Sequence, residues 1–160
     1  MQKEILELEQ ILEQEIDACS KLEKYIADKK NYLIKGDIEG IMNADIELEK
    51  YNSAIEKLEE KRLQLFPDRP NLKEIIDTIE EKKKAQEMTN LRNKLTDLLT
   101  NTQKQNNVNA ELIKHSLKII EGSISSIVKV LVPENPSYNN KGSFIKDNNT
   151  ETISSVIHEA

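Results

Sequence analysis

The 160-residue chain has no tryptophan, a single cysteine, four glycines and four prolines. Its aromatics are two phenylalanines and four tyrosines. A β-sandwich or barrel needs many turns and many aromatic residues, and this chain is short of both. So few glycines and prolines also exclude collagen-like and Gly/Pro-rich disordered chains. Cys19 stands alone and cannot form an internal disulfide. No apolar run approaches the roughly 20 residues that span a bilayer. Residues Met1-Gln2-Lys3-Glu4-Ile5-Leu6-Glu7 place acids where a secretory signal has a basic start. We therefore expect a soluble, intracellular protein without membrane insertion, about one domain long.

What the chain has is charge and helix formers. Charged residues make up 32%, and the net charge is −6. Residues 1–66 hold 16 acids and 10 bases, residues 67–132 hold 9 and 11, and residues 133–160 hold 4 and 2. No segment offers the basic surface that releases counterions from phosphates, so nucleic acid is not an expected partner. The densest basic run, Lys82-Lys83-Lys84, follows Glu80-Glu81 and reads as a solvated helix face.

Periodicity divides the chain into four helical stretches and a tail. In the first, about Lys3 to Ile34, residues Ile5, Leu8, Leu12, Cys19, Leu22, Ile26 and Leu33 fall on one 3,4-alternating series. Glu15 and Lys29 are its polar members, and Ile16 covers the first gap. Such a seam packs lengthwise on another helix, with Cys19 as a small buried hydrophobe. Lys35-Gly36-Asp37 breaks the pattern: Gly36 suits a left-handed helix end and Asp37 an N-cap. So short a loop makes an antiparallel hairpin. The second stretch, Ile38 to Phe66, carries a matching seam of Ile41, Ala44, Leu48, Tyr51, Ile55, Leu58 and Leu65, with Arg62 intruding and Gly40 in its first turn. Pro67 stops it.

Asn71 and Glu74 resemble a capping box that opens a short third helix, whose apolar face is Leu72, Ile75, Ile76 and Ile79. The charged run Glu81 to Glu87 reads as a bend, with a continuous helix as its other reading. The fourth stretch, about Ala85 to Val132, carries Met88, Leu91, Leu95, Leu98 and Leu99, then a polar segment Thr102–Asn109, then Ile113, Leu117, Ile120, Ile124, Ile127 and Leu131. At about 1.5 Å per residue it outreaches the first two helices, so one end of its apolar stripe needs a further partner. The expected fold is all-α: an elongated antiparallel helical hairpin, a short helix and one long C-terminal helix over residues 1–132, then a flexible tail over 133–160. The tail is polar yet holds Tyr138, Phe144, Ile153 and Ile157, spaced as anchors that order on a partner.

Catalytic and metal-binding patterns are missing. Neither His115 nor His158 has the Glu three positions before it that di-iron bundles use. Glu111 and His115 share a helix face but have nothing to complete a metal site. The four glycines are scattered, so no phosphate loop exists. Cys19 lies in a seam, away from any paired base. No enzyme activity and no cofactor is expected; long amphipathic helices with a surplus apolar stripe bind other helices.

The run Asn106-Asn107-Val108-Asn109-Ala110-Glu111-Leu112-Ile113-Lys114-His115-Ser116-Leu117-Lys118-Ile119-Ile120 resembles the signature of FlgN-type flagellar export chaperones. There an Asn-rich turn leads into Asn-Ala-x-Leu-Ile-x-x-Ser-Leu on the last long helix. A Tyr followed by Gly comes next, matched here by Tyr138 and Gly142. The upstream hairpin with its Gly-Asp break fits too, and the resemblance covers about residues 1–142. It implies a cytoplasmic type III export chaperone that holds the C-terminal helices of the hook–filament junction proteins FlgK and FlgL and delivers them to the export gate, without ATP or metal.

On that resemblance, Ile113, Leu117, Ile120, Ile124, Ile127 and Leu131 are the expected cargo-binding residues, with bundle core as their other reading. Asn106 and Asn109 match the family's Asn positions and serve either a polar kink or helix–helix hydrogen bonds. Tyr138, Phe144, Ile153 and Ile157 are candidate tail contacts to cargo or gate. Two alternatives stay open: a structural coiled-coil adaptor that self-associates as a homo-oligomer, and a chaperone for another type III cargo.

Overall fold

A computed structural model describes residues 2–69 and 71–131, together with the backbone of 137–138 and 144–145. The element order is α1 (Gln2–Lys35), α2 (Ile38–Leu65), α3 (Leu72–Ile76), α4 (Lys82–Leu131), β1 (Ser137–Tyr138) and β2 (Phe144–Ile145). The chain divides into two compact units, Met1–His115 and Ser116–Ala160.

The first unit starts from the α1–α2 hairpin, and local chemistry fixes its turn. Gly36 has φ 69°, a conformation that costs glycine nothing. Asp37 N–H donates to Tyr32 C=O at 2.9 Å, and Gly36 N–H to Leu33 C=O at 3.4 Å. This pair of bonds is a Schellman motif, which satisfies carbonyls the helix end would orphan. The Asp37 side chain then accepts from Gly40 N–H at 2.9 Å and caps α2. Gly40 does more than the sequence indicated: a Cβ there would lie 2.7 Å from Tyr32 Cγ, so the missing side chain lets the Tyr32 ring pack on the start of α2.

α1 supplies most of the core. Ile5, Leu8, Leu12, Cys19, Leu22 and Ile26 are buried, as the seam predicts, while Leu33 is half-buried. The seam's polar member Glu15 is buried too, and Ile11 and Ala18 are buried beside it, which widens the buried face beyond one seam. The reason is that α1 has more than one partner. Leu8, Leu12, Ile16 and Cys19 cluster with Ile75 and Ile76 of α3 and with Met88 and Leu95 of α4, and Ile55 and Phe66 pack against the same cluster from the α2 side. Fully burying each of these aliphatic side chains is worth about 1.5–3 kcal/mol.

The two polar intruders of the seams meet. Arg62 Nε of α2 lies 3.6 Å from Glu15 Oε1 of α1, and Arg62 Nη2 lies 3.6 Å from Glu59 Oε1. Asn71 caps α3 by accepting from Lys73 N–H at 3.0 Å. The expected bend over Glu81 to Glu87 does not occur. The break falls at Ile79–Glu81, and α4 runs from Lys82, with Ala85 N–H donating to Glu81 C=O at 2.9 Å. An ion pair anchors this start: Lys84 Nζ sits 2.5 Å from Glu9 Oε2 of α1. The apolar patch on α4 buries Met88 and Leu95 but leaves Leu99 exposed.

Cys19 is fully buried, and burial, helped by nearby Glu15, pushes its thiol up to about 11. Only about one thiol in a thousand is then ionised at pH 8, and reagents cannot reach it. We expect native protein to react with a disulfide reagent at least ~100-fold more slowly than protein in denaturant. Equal rates would remove Cys19 from the core.

In the second unit, the rest of α4 is followed by β1 and β2, which pair antiparallel with Ser137 opposite Ile145 and Tyr138 opposite Phe144. The remaining residues of 133–160, and with them the expected mobile tail, lie outside the described residues.

Candidate functional site

α4 continues as helix through the polar segment Thr102–Asn109. Asn109 is 2% exposed, and its Nδ2 donates to Ile26 C=O of α1 at 2.9 Å. Of the two readings open to this asparagine, the structure realises the helix–helix hydrogen bond. A buried amide that bonds a backbone carbonyl of another helix fixes the register between them, because a slip would leave it unpaired. Asn109 Oδ1 and Thr102 Oγ1 are buried with no hydrogen-bond partner among the described residues.

Asn106 lies elsewhere. It is exposed, and it lines a groove of about 410 Å³ with Leu22, Ile26, Leu48, Asn52, Leu99, Thr102 and Gln103. The groove has an aliphatic base contributed by α1, α2 and α4 and amides at its edge. Sequence reasoning missed it. Leu22, Ile26 and Leu48 each read as ordinary seam positions, and only their arrangement in space separates a filled seam from an open one.

Beyond Asn109 the apolar residues of α4 are mostly uncovered. Ile113, Leu117, Ile120, Ile127 and Leu131 are exposed, the middle three at 53–56%, and Ile124 is half-buried. At 3.6 residues per turn all six fall within an arc of roughly 80°. Ile119 and Val130 are also exposed, but they lie roughly 60–80° outside that arc, on one flank of the helix. Their signal was present in the sequence, as a second row one helical position away. Glu121 and Lys114 flank the arc on the other side, and Lys118 and Lys129 lie on the back of the helix, all exposed. Such a helix offers a row of aliphatic knobs with a polar back, which is what an incoming amphipathic helix packs against.

Glu111 and His115 are both exposed, and among the described residues no group of three His, Cys, Asp or Glu side chains could hold a metal ion. No helix among the described residues is long and apolar enough to cross a membrane. Tyr138 and Phe144 fall in β1 and β2, but their side chains lie outside the described residues, as do Ile153 and Ile157 altogether.

The family model described as FlgN protein matches residues 1–144. The match takes in the hairpin, α3, all of α4 and the first β-strand. No curated protein and no solved structure matches the chain.

Proposed function

Because this chain belongs to the FlgN family, whose members are cytoplasmic, non-enzymatic flagellar export chaperones for FlgK and FlgL, we propose that α4 carries its cargo site. Ile113, Leu117, Ile120, Ile124, Ile127 and Leu131 form the surface that holds the C-terminal helical segment of FlgK or FlgL. The supporting observation is the exposure of this row: Leu117, Ile120 and Ile127 each leave more than half their surface open. Aliphatic side chains in a continuous row are costly to leave in water, at about 25 cal/mol per Å². A cargo helix laid along the row covers them, and its own apolar face is covered in return, which keeps it from premature assembly. Release at the export gate needs only modest affinity, which a single-helix contact supplies after paying for lost freedom of motion. Tyr138, Phe144, Ile153 and Ile157 are proposed as tail contacts that order on cargo or on the gate.

The test uses Ile120→Gln and Ile127→Gln, since Gln retains helix propensity and removes apolar surface. We expect each variant to melt within about 0.5 kcal/mol of the parent, as exposed sites do. In calorimetric titration with the C-terminal segment of FlgK, each should bind at least ~10-fold more weakly, the worth of about 1.4 kcal/mol. Variants that melt early and bind normally once folded would assign these residues to the core.

A further inference from the structure

A second apolar row stands open on α2, on the side turned away from its seam. Ile38, Met42 and Ile46 follow one another at i, i+4 and i+8 and are 71%, 62% and 65% exposed. At 100° per residue they span an arc of roughly 80°, and the seam residues Ala44, Ile55 and Leu58 lie on the opposite side of the helix. The same line continues in acids. Glu49, Glu56 and Glu60 fall inside the arc of the row, within about four turns of Ile46 toward the C-terminus. All three are exposed, and none is in an ion pair among the described residues. Glu56 and Glu60 are four apart, a like-charge spacing that works against the helix.

The bases nearby do not fill this line. Lys50 and Lys57 lie on one flank, roughly 60–120° round from the three acids, and Lys50 is drawn to Glu47 at 3.4 Å. On the other flank Asp45 is already met by Lys29 at 2.6 Å. Aliphatic surface and unpaired carboxylates therefore share one face of one helix, in a fixed order along it.

That order limits what can cover the face. Nucleic acid and anionic lipid are repelled. A purely apolar helix would cover the row and leave three carboxylates unmatched, and the same face of a second copy brings further acids and no base on the line. We propose that this face docks a basic amphipathic helix of a partner protein, its aliphatic row over Ile38, Met42 and Ile46 and its Lys or Arg side chains over Glu49, Glu56 and Glu60. The aliphatic contact supplies affinity, and the charges fix direction and register. A helix laid the other way round sets its bases on Ile38 and Met42 and leaves the acids unpaired. A single-helix contact of this size is small, so association is transient and falls with salt. The site lies wholly on α2 and does not rest on the cargo reading of α4.

Synthetic helices stand in for the partner, and no cargo is present, so failure leaves the cargo reading untouched. Each peptide carries leucines at i, i+4 and i+8 and three charged residues further along the same line, in one chain order or the reverse. One member of each pair has lysine at the charged positions and its twin has glutamate. In calorimetric titration with full-length protein, a lysine peptide should bind at least ~10-fold more tightly than its glutamate twin, in one chain order only, and several-fold more weakly in high salt. Met42→Gln, which keeps the helix and removes apolar surface, should weaken that binding several-fold. The double variant Glu49→Lys/Glu56→Lys should reverse the preference and bind the glutamate peptide better. These positions are exposed, so the variants should melt like the parent. Lysine peptides that do not bind, twins that bind equally, or a Met42→Gln variant that binds like the parent would each overturn the proposal. So would a dimer of the protein alone, seen in sedimentation velocity and abolished by Met42→Gln, which would give the face to a second copy.

Discussion

Replacing Arg62 by methionine should destabilise the folded chain by about 3–5 kcal/mol, the cost of leaving a buried carboxylate without its partner. Glu15 is 3% exposed, at a position where the α1 seam would otherwise hold a hydrophobe. Burial is the largest influence on its carboxyl and raises it above the ordinary 4.5; Arg62 pulls it back down, and Glu59 adds to the rise. Arg62→Met deletes the downward pull and raises the carboxyl further. Between the unfolded value and a raised folded value, the native state binds more protons than the unfolded one, so stability falls as pH rises through that window. The deficit of Arg62→Met should therefore be full above the window and should shrink as pH is lowered toward 4.5. The double variant Glu15→Leu/Arg62→Met should recover the loss and gain as much as about 1–4 kcal/mol, since packed hydrophobes avoid the desolvation cost of the pair. Urea titrations at neutral and mildly acidic pH measure all of this. A single variant within about 0.5 kcal/mol of the parent would mean that water reaches Glu15.

Leu12→Ala should cost about 2–5 kcal/mol, by lost transfer free energy and the cavity left behind. Leu12 has no exposed surface and sits among Ile75, Ile76, Met88 and Leu95, where three helices and α3 leave little room to collapse. Leu22→Ala should lie toward the low end of that range, near about 2 kcal/mol, because Leu22 borders the open groove and its loss seals in no void. Equal losses at the two positions would show that the groove is closed in solution.

The hairpin was legible because its signals are local. Gly36 and Asp37 act within four residues of themselves, and the two seams show in the spacing of aliphatic residues alone. Glu15 and Arg62 were each visible as polar members of a seam, but their pairing depends on the register between helices, which no single-helix pattern encodes. Ile11 and Ala18 were missed because one 3,4 series describes a helix with one partner, whereas α1 serves α2, α3 and α4 together. The start of α4 was misplaced because Lys82, Lys83 and Lys84 carry no apolar period; what holds that turn is the distant Glu9. On α4, sequence identified the aliphatic row but could not divide core from surface, since both show the same spacing. The buried Asn109 and the exposed Asn106 likewise look alike in sequence, and only the approach of Ile26 separates them.

Amide hydrogen exchange on the full-length chaperone, with and without a saturating C-terminal segment of FlgK, tests the cargo site most directly. Exposed helix with little tertiary cover opens locally and exchanges fast, and a docked helix suppresses that opening. We expect cargo to slow exchange across residues 113–131 of α4 and to leave the α1 amides around Leu8 and Leu12 unchanged. Unchanged exchange over 113–131 at saturation, with slowing confined to residues 22–26 and 99–106 around the groove, would contradict the assignment of cargo to the α4 row.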